Sequence, residues 1–174
     1  MEGVGVEVRA VNDVDDALRA DLLACWTDVT NAGGAVGFVP PVTREDVAPV
    51  LDRQLEGIRS GRDVLALLTV DGATAGFAVL GGSSSPLRRH WVTVLRVQVH
   101  PDHQGRGLGR VLMHGVHDIA RARGKEFLHL GARGGTGVDA FYRRLGYTEV
   151  GRVPGAIRVA PGDDREEILL VHRL

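Results

Sequence analysis

The chain holds one cysteine, Cys25, so no internal disulfide can close and the fold must rest on a packed core. A reducing, cytoplasmic setting is the expectation. Cys25 falls in an apolar helical pattern and reads as a core side chain, not a nucleophile. Neither sign of charge is in excess: 21 Lys and Arg face 22 Asp and Glu, which excludes a polyelectrolyte built for nucleic acid. No apolar run reaches the roughly 18 residues of a membrane span. Met1–Val8 lacks the basic stretch and apolar core of a secretion signal. Internal repeats and low-complexity tracts are missing too. His114 and His117 lie three apart, but no ligand set is completed around them, and no metal is expected. The 174 residues, 44% hydrophobic and 25% charged, suit one domain, 1–174, with a full core. Abundant Gly, Ala, Val and Arg suggests a GC-rich bacterial source.

The most informative segment runs from Val94 to Ile119. Alternating residues end at His100-Pro101, which predicts a strand. Gly105, Gly107 and Gly109 follow, and then Leu108, Val111, Leu112, Val116 and Ile119 recur at helical spacing. A strand passing through a glycine-rich turn into a helix N-terminus suits an anion, because backbone N–H groups can approach it and the helix dipole favours it. A Walker A loop would need Lys-Ser/Thr after the last glycine, where Arg110-Val111 stands. A dinucleotide-binding G-x-G-x-x-G counted from Gly105 would need glycine at Arg110.

The pattern present, Gln104-x-x-Gly107-x-Gly109 behind Val99-His100-Pro101, resembles the pyrophosphate loop of the Gcn5-related N-acetyltransferases, the GNAT superfamily. About forty residues on, Ala140-Phe141-Tyr142-Arg143-Arg144-Leu145-Gly146-Tyr147 resembles the family's motif B. Asp139–Leu145 predicts a short helix, with Gly146 as the residue after it that needs positive φ. Gly34–Pro41 and Gly151–Ala156 resemble the tabtoxin-resistance-like subgroup.

Patterning lays out the rest. Val4–Val11 predicts a strand and Asp13–Val29 a helix. A loop covers Asn31–Pro41, and a second helix is capped by Thr43. Asp63–Val70 and Thr74–Leu80 form a hairpin about Asp71-Gly72. Gly81–Pro86 is a connection. His90–His100 and Glu126–Ala132 are strands, as are Thr148–Val153 and Ile168–Arg173, the last entered by a turn at Gly162–Arg165. This order predicts an α/β (α+β) domain. The resemblance implies the GNAT fold: a twisted, mostly antiparallel mixed sheet of six or seven strands with about four helices, whose parallel fourth and fifth strands splay apart.

The resemblance further implies an acetyl-CoA-dependent N-acetyltransferase acting on a primary amine of a small, amino-acid-like, toxin-like or antibiotic-like molecule. Backbone N–H groups of Gln104, Gly105, Arg106, Gly107, Leu108, Gly109 and Arg110 would hold the pyrophosphate, with charge from Arg106 and Arg110. The strand around Val97, Gln98 and Val99 would pair with the pantetheine arm, and a bulge there would aim an N–H at the acyl oxygen. Tyr142 would be the general acid. No carboxylate occupies the fourth strand, and Gly131 stands where the subgroup often has aspartate on the fifth. His90, His100, His129, Glu45 and Asp46 are therefore the candidate bases, beside a water-mediated proton exit. The Asn31–Pro41 loop, made mobile by its glycines, would help enclose the acceptor, and Arg96 or Arg133 would hold an acceptor carboxylate. A homodimer is the default for such relatives. Three other classes stay open: a non-catalytic acyl-CoA sensor, an acetyltransferase acting on protein N-termini or lysines, and an unrelated nucleotide-binding domain. Binding without turnover would mark the sensor, an open groove the peptide enzyme, and nucleotide binding without CoA competition the last.

Overall fold

The computed structural model describes residues 5–174. Its elements are β1 (Val6–Val11), α1 (Asp16–Asn31), α2 (Arg44–Arg59), β2 (Val64–Val70), β3 (Ala73–Gly82), β4 (Trp91–Val99), α3 (Leu108–Ala122), β5 (Phe127–Arg133), α4 (Val138–Arg144), β6 (Thr148–Ala160) and β7 (Asp163–Arg173), with short 3-10 turns at Pro86–Arg88 and Pro101–His103. The sheet order is β1-β2-β3-β4-β5-β7-β6, and β4 with β5 is its parallel pair. Val4, placed in the first strand by its pattern, lies outside the described residues.

β2 is apolar at nearly every position because both of its faces are covered. Leu65 and Leu67 join Trp26, Leu51 and Phe77 beneath α1 and α2, while Ala66 and Leu68 join Leu112, Met113 and Val116 beneath α3. Asp71 and Gly72, at φ 50° and 81°, turn the chain into β3 as their dipeptide predicts. α2 starts with a capping box: Thr43 accepts from Asp46 N–H, and the Asp46 carboxylate accepts from Thr43 N–H.

Three boundaries differ from expectation. α1 begins at Asp16, because Asp15 caps it by accepting from Leu18 N–H at 2.8 Å. β3 continues through Gly82, whose N–H donates to Asp63 at 3.2 Å. The last hairpin is much longer than expected, since Thr148–Ala160 pairs with Asp163–Arg173 and the chain reverses at Pro161-Gly162. Residues 163–165, expected to form the turn, begin β7. Few apolar side chains are buried at this end. Instead, Arg158 with Asp164 and Arg152 with Glu166 pair across the ladder, while Arg165 with Asp163 and Arg152 with Glu149 pair along a single strand.

Candidate active site

The glycine-rich turn is built outward from the end of β4. His100 caps the 3-10 turn by accepting from Asp102 N–H, and the Gln104 side chain donates to Val99 O at 2.9 Å. Gly105 and Gly107 take φ of 75° and 74°, and no atom lies within 4 Å of where their Cβ would stand. Consequently the turn is not sealed by side chains. Gln104 N–H donates to Pro101 O and Arg110 N–H to Gly107 O. The expected run of N–H groups from Gln104 to Arg110 is thereby narrowed. The N–H groups of Gly105, Arg106, Gly107, Leu108 and Gly109 have no partner among the described residues. Leu108 buries its side chain in the core and Gly109 packs toward the Phe141 ring, which fixes the helix start against α4. Arg106 is exposed, and Arg110 donates to His114 at 3.3 Å.

β4 and β5 pair over three rungs, from Trp91–Phe127 to Thr93–His129, and then separate. On its other edge β4 carries a bulge against β3: the register steps from Val79–Leu95 to Phe77–Gln98, with Arg96 at φ 55°. A non-glycine residue in that region costs about 1–3 kcal/mol and needs outside support. Support comes from Trp26, on whose ring the Arg96 guanidinium stacks at 5.0 Å, and from Val36 O, to which Arg96 donates at 3.3 Å. Gln98 is buried and donates to Arg96 O at 3.2 Å, while its Oε1 has no partner.

The separation opens a cleft of about 800 Å³ that passes between the strands. Val97, Gln98, Val99 and Gln104 line one side, and residues 33–39 with Ile157, Arg158 and Glu167 of the β6–β7 hairpin line one end as a roof. Tyr142 lines it from α4, and Gly146 at φ 88° ends that helix as expected. Among the described residues the Tyr142 hydroxyl has no hydrogen-bond partner. Burial pushes its pKa up, so the phenol stays protonated at neutral pH.

A family model described as an acetyltransferase (GNAT) domain matches residues 62–149. Streptothricin acetyltransferase from Streptomyces lavendulae is 34% identical over 134 residues, 71% of this chain and 68% of that protein. The chain belongs to the GNAT acetyltransferase family. It is thus an N-acetyltransferase. Solved structures carry the same fold at lower identity. A ribosomal-protein-alanine N-acetyltransferase from Brucella melitensis superposes with a TM-score of 0.76 at 22% identity, over 97% of this chain and 99% of that one. The Salmonella typhimurium protein yncA, solved with its cofactor acetyl-CoA, does so with 0.72 at 23%, over 97% and 94%.

Several residues that the sequence offered to this acetyltransferase's site have other roles. Arg96 and Arg133, expected to hold an acceptor carboxylate, anchor the loop after α1: Arg133 donates to Phe38 O at 3.1 Å, and Trp26 Nε1 joins Arg96 on Val36 O. That loop is therefore tied down rather than loose, and Gly37 is required because a Cβ there would overlap the Arg96 guanidinium. Among the candidate bases, Asp46 is held in its capping box, and His100 bonds Asp28 at 3.2 Å beside its own cap. His90, Glu45 and Asp46 do not line the cleft. His129 does, at the last β4–β5 rung, and burial lowers its pKa below 6.5, so it is neutral at pH 7. Among the described residues, no group of three or more potential metal-ligating side chains gathers.

Sequence reasoning missed Glu167. From β7 its carboxylate reaches over Gly131 into the cleft, at the position a Gly131 side chain would occupy. The pairing of β5 with β7 brings it there, and no local motif announces it.

Proposed function

We propose that this acetyltransferase moves an acetyl group from acetyl-CoA to a primary amine of a small molecule by direct attack, with Tyr142 as general acid. The observation that carries it is the run of five unpartnered N–H groups at 105–109, which leads by the splayed edge of β4 to a protonated, unbonded phenol.

The residues fit the donor. Gly105 and Gly107 leave room for a diphosphate against the main chain, and the α3 N-terminus favours its charge. The orphan Oε1 of Gln98 suits an amide N–H of the pantetheine arm. Acetyl-CoA supplies an activated acetyl thioester. Burial keeps the Tyr142 proton available for the departing sulfur. The bulge at Arg96 frees main-chain N–H from the β3 ladder, where it can stabilise negative charge developing on the acyl oxygen. Residues 33–39 and the final hairpin line the acceptor end of the cleft, and the streptothricin acetyltransferase relative supports a small-molecule acceptor.

Calorimetric titration with acetyl-CoA, joined to thiol release over streptothricin and a panel of primary amines, tests this. Tyr142→Phe is expected to lower kcat roughly 10²- to 10⁴-fold while leaving the acetyl-CoA Kd unchanged. Unaltered kcat in that variant would reject Tyr142 as the acid.

A further inference from the structure

The geometry points to Glu167 as the general base of this enzyme, delivered from β7 through the gap that Gly131 leaves in β5. The inference rests on the reading of the cleft as an acetyl-transfer site and adds the proton acceptor that the fourth and fifth strands lack.

Three observations carry it. First, Glu167 is the one acidic side chain among the described residues lining the cleft. Second, its carboxylate forms no hydrogen bond or ion pair with any described residue, whereas its neighbours on the hairpin are engaged: Asp163 by Arg165, Asp164 by Arg158 and Glu166 by Arg152. The cleft arginines are engaged as well, Arg96 and Arg133 on main-chain carbonyls and Arg158 on Asp164. Third, a Cβ on Gly131 would overlap Glu167 Oε1. The glycine is the condition for the carboxylate's position.

Facing completes the case. Leu128, Leu130 and Ala132 of β5 and Ile168 of β7 point into the core under α3 and α4, the core that also includes Tyr142. Alternation puts His129, Gly131 and Glu167 on the opposite face of the sheet, toward the roof of residues 33–39. Acid and base then stand on opposite faces of a cleft that runs through the sheet. An acceptor entering from the Glu167 side meets the acyl carbon with the sulfur beyond it, toward Tyr142.

The step balances. Glu167 takes one proton from the acceptor ammonium. The neutral nitrogen bonds to the acyl carbon, the carbon–sulfur bond breaks, and sulfur leaves with the Tyr142 proton. The second proton that nitrogen sheds returns through water to the phenol, and Glu167 releases its own to solvent. An alkylamine has a pKa of about 10.4, so at neutral pH this removal must precede attack. The titratable and charged groups around Glu167 are His129 and Arg133 from β5, Arg96 from β4, Arg158 from β6 and, two residues along β7 on the same face, Arg165.

The test uses the full chain with acetyl-CoA and whichever amine, streptothricin or a panel member, the parent turns over. Glu167→Gln is expected to lower kcat roughly 10²-fold or more and to abolish the acid limb of its pH profile. The acetyl-CoA Kd by calorimetry and the Tm are expected to hold, which separates a lost base from a lost fold. Gly131→Ala, which displaces the carboxylate, lowers kcat in the same direction. The double variant Gly131→Asp with Glu167→Ala, which supplies a carboxylate from β5 instead, recovers part of the loss. Turnover by the parent that survives in Glu167→Gln with its acid limb intact overturns the base alone. No acetyl-CoA binding or no turnover by the parent overturns the reading of the site, and Glu167 with it.

Discussion

Single residues shape this site. Gly107 takes φ 74° with nothing near its absent Cβ, so alanine there meets no wall but does meet backbone strain. Gly107→Ala is expected to destabilise the fold by about 1–2 kcal/mol and to raise the KM for acetyl-CoA several-fold, readable by thermal unfolding and steady-state kinetics. Gly37 differs, since a Cβ there would push on the Arg96 guanidinium that holds the roof and the bulge together. Gly37→Ala is expected to raise the acceptor KM more than the acetyl-CoA KM, and equal changes in both would refute a role confined to the roof. The short helix that carries Tyr142 was legible in the sequence because its context is local, closed by Gly146, and the structure puts that side chain at the cleft. Gly131 read as a missing acid. That its gap admits Glu167 could not be seen there, because the two residues meet only through β5–β7 pairing, across 36 positions.

Among the elements, those with strong local chemistry matched expectation. The Thr43 cap and the Asp71-Gly72 turn lie where their residue types predict. Thr43→Ala removes one side of the capping box and is expected to cost about 1 kcal/mol, measured by denaturant unfolding, without altering kcat. The full length of the final hairpin is hidden in the sequence because its signals conflict. Pro154 and Gly155 are residues that usually interrupt a strand, yet β6 absorbs them where its register shifts between Val153 and Ile157, and Gly155 takes φ 65°. Cross-strand ion pairs replace buried apolar side chains. Arg152 and Arg143 hold the Glu149 carboxyl down to about 2. In the loop after α1 the glycines predict mobility, while the side chains that bond its carbonyls, Arg96 and Arg133, come from distant strands and leave no local signal.

At the scale of the whole molecule, a buried polar cluster couples α3 to the last hairpin. His117 on α3 bonds the Tyr147 hydroxyl at 3.1 Å and stacks on His172 of β7 at 4.7 Å. Burial first, then His172, Arg121 and His114, lower the His117 pKa from 6.5 to about 4, with Asp118 opposing. Between those values the unfolded chain binds a proton that the folded chain does not. Stability from this group is therefore intact above pH 6.5 and falls as pH drops toward 4. The Tm is expected to decline across that window, and His117→Gln to flatten the decline; equal slopes in both would contradict the assignment.

The splayed β4–β5 cleft ties these scales together, with open amides at one end and a phenol at its wall. A crystal structure of the chain with acetyl-CoA tests that account most directly. The expected result is a diphosphate held by the N–H groups of residues 105–109, with the thioester sulfur within hydrogen-bond reach of the Tyr142 hydroxyl. A donor bound elsewhere, or Tyr142 turned away from the sulfur, would contradict it.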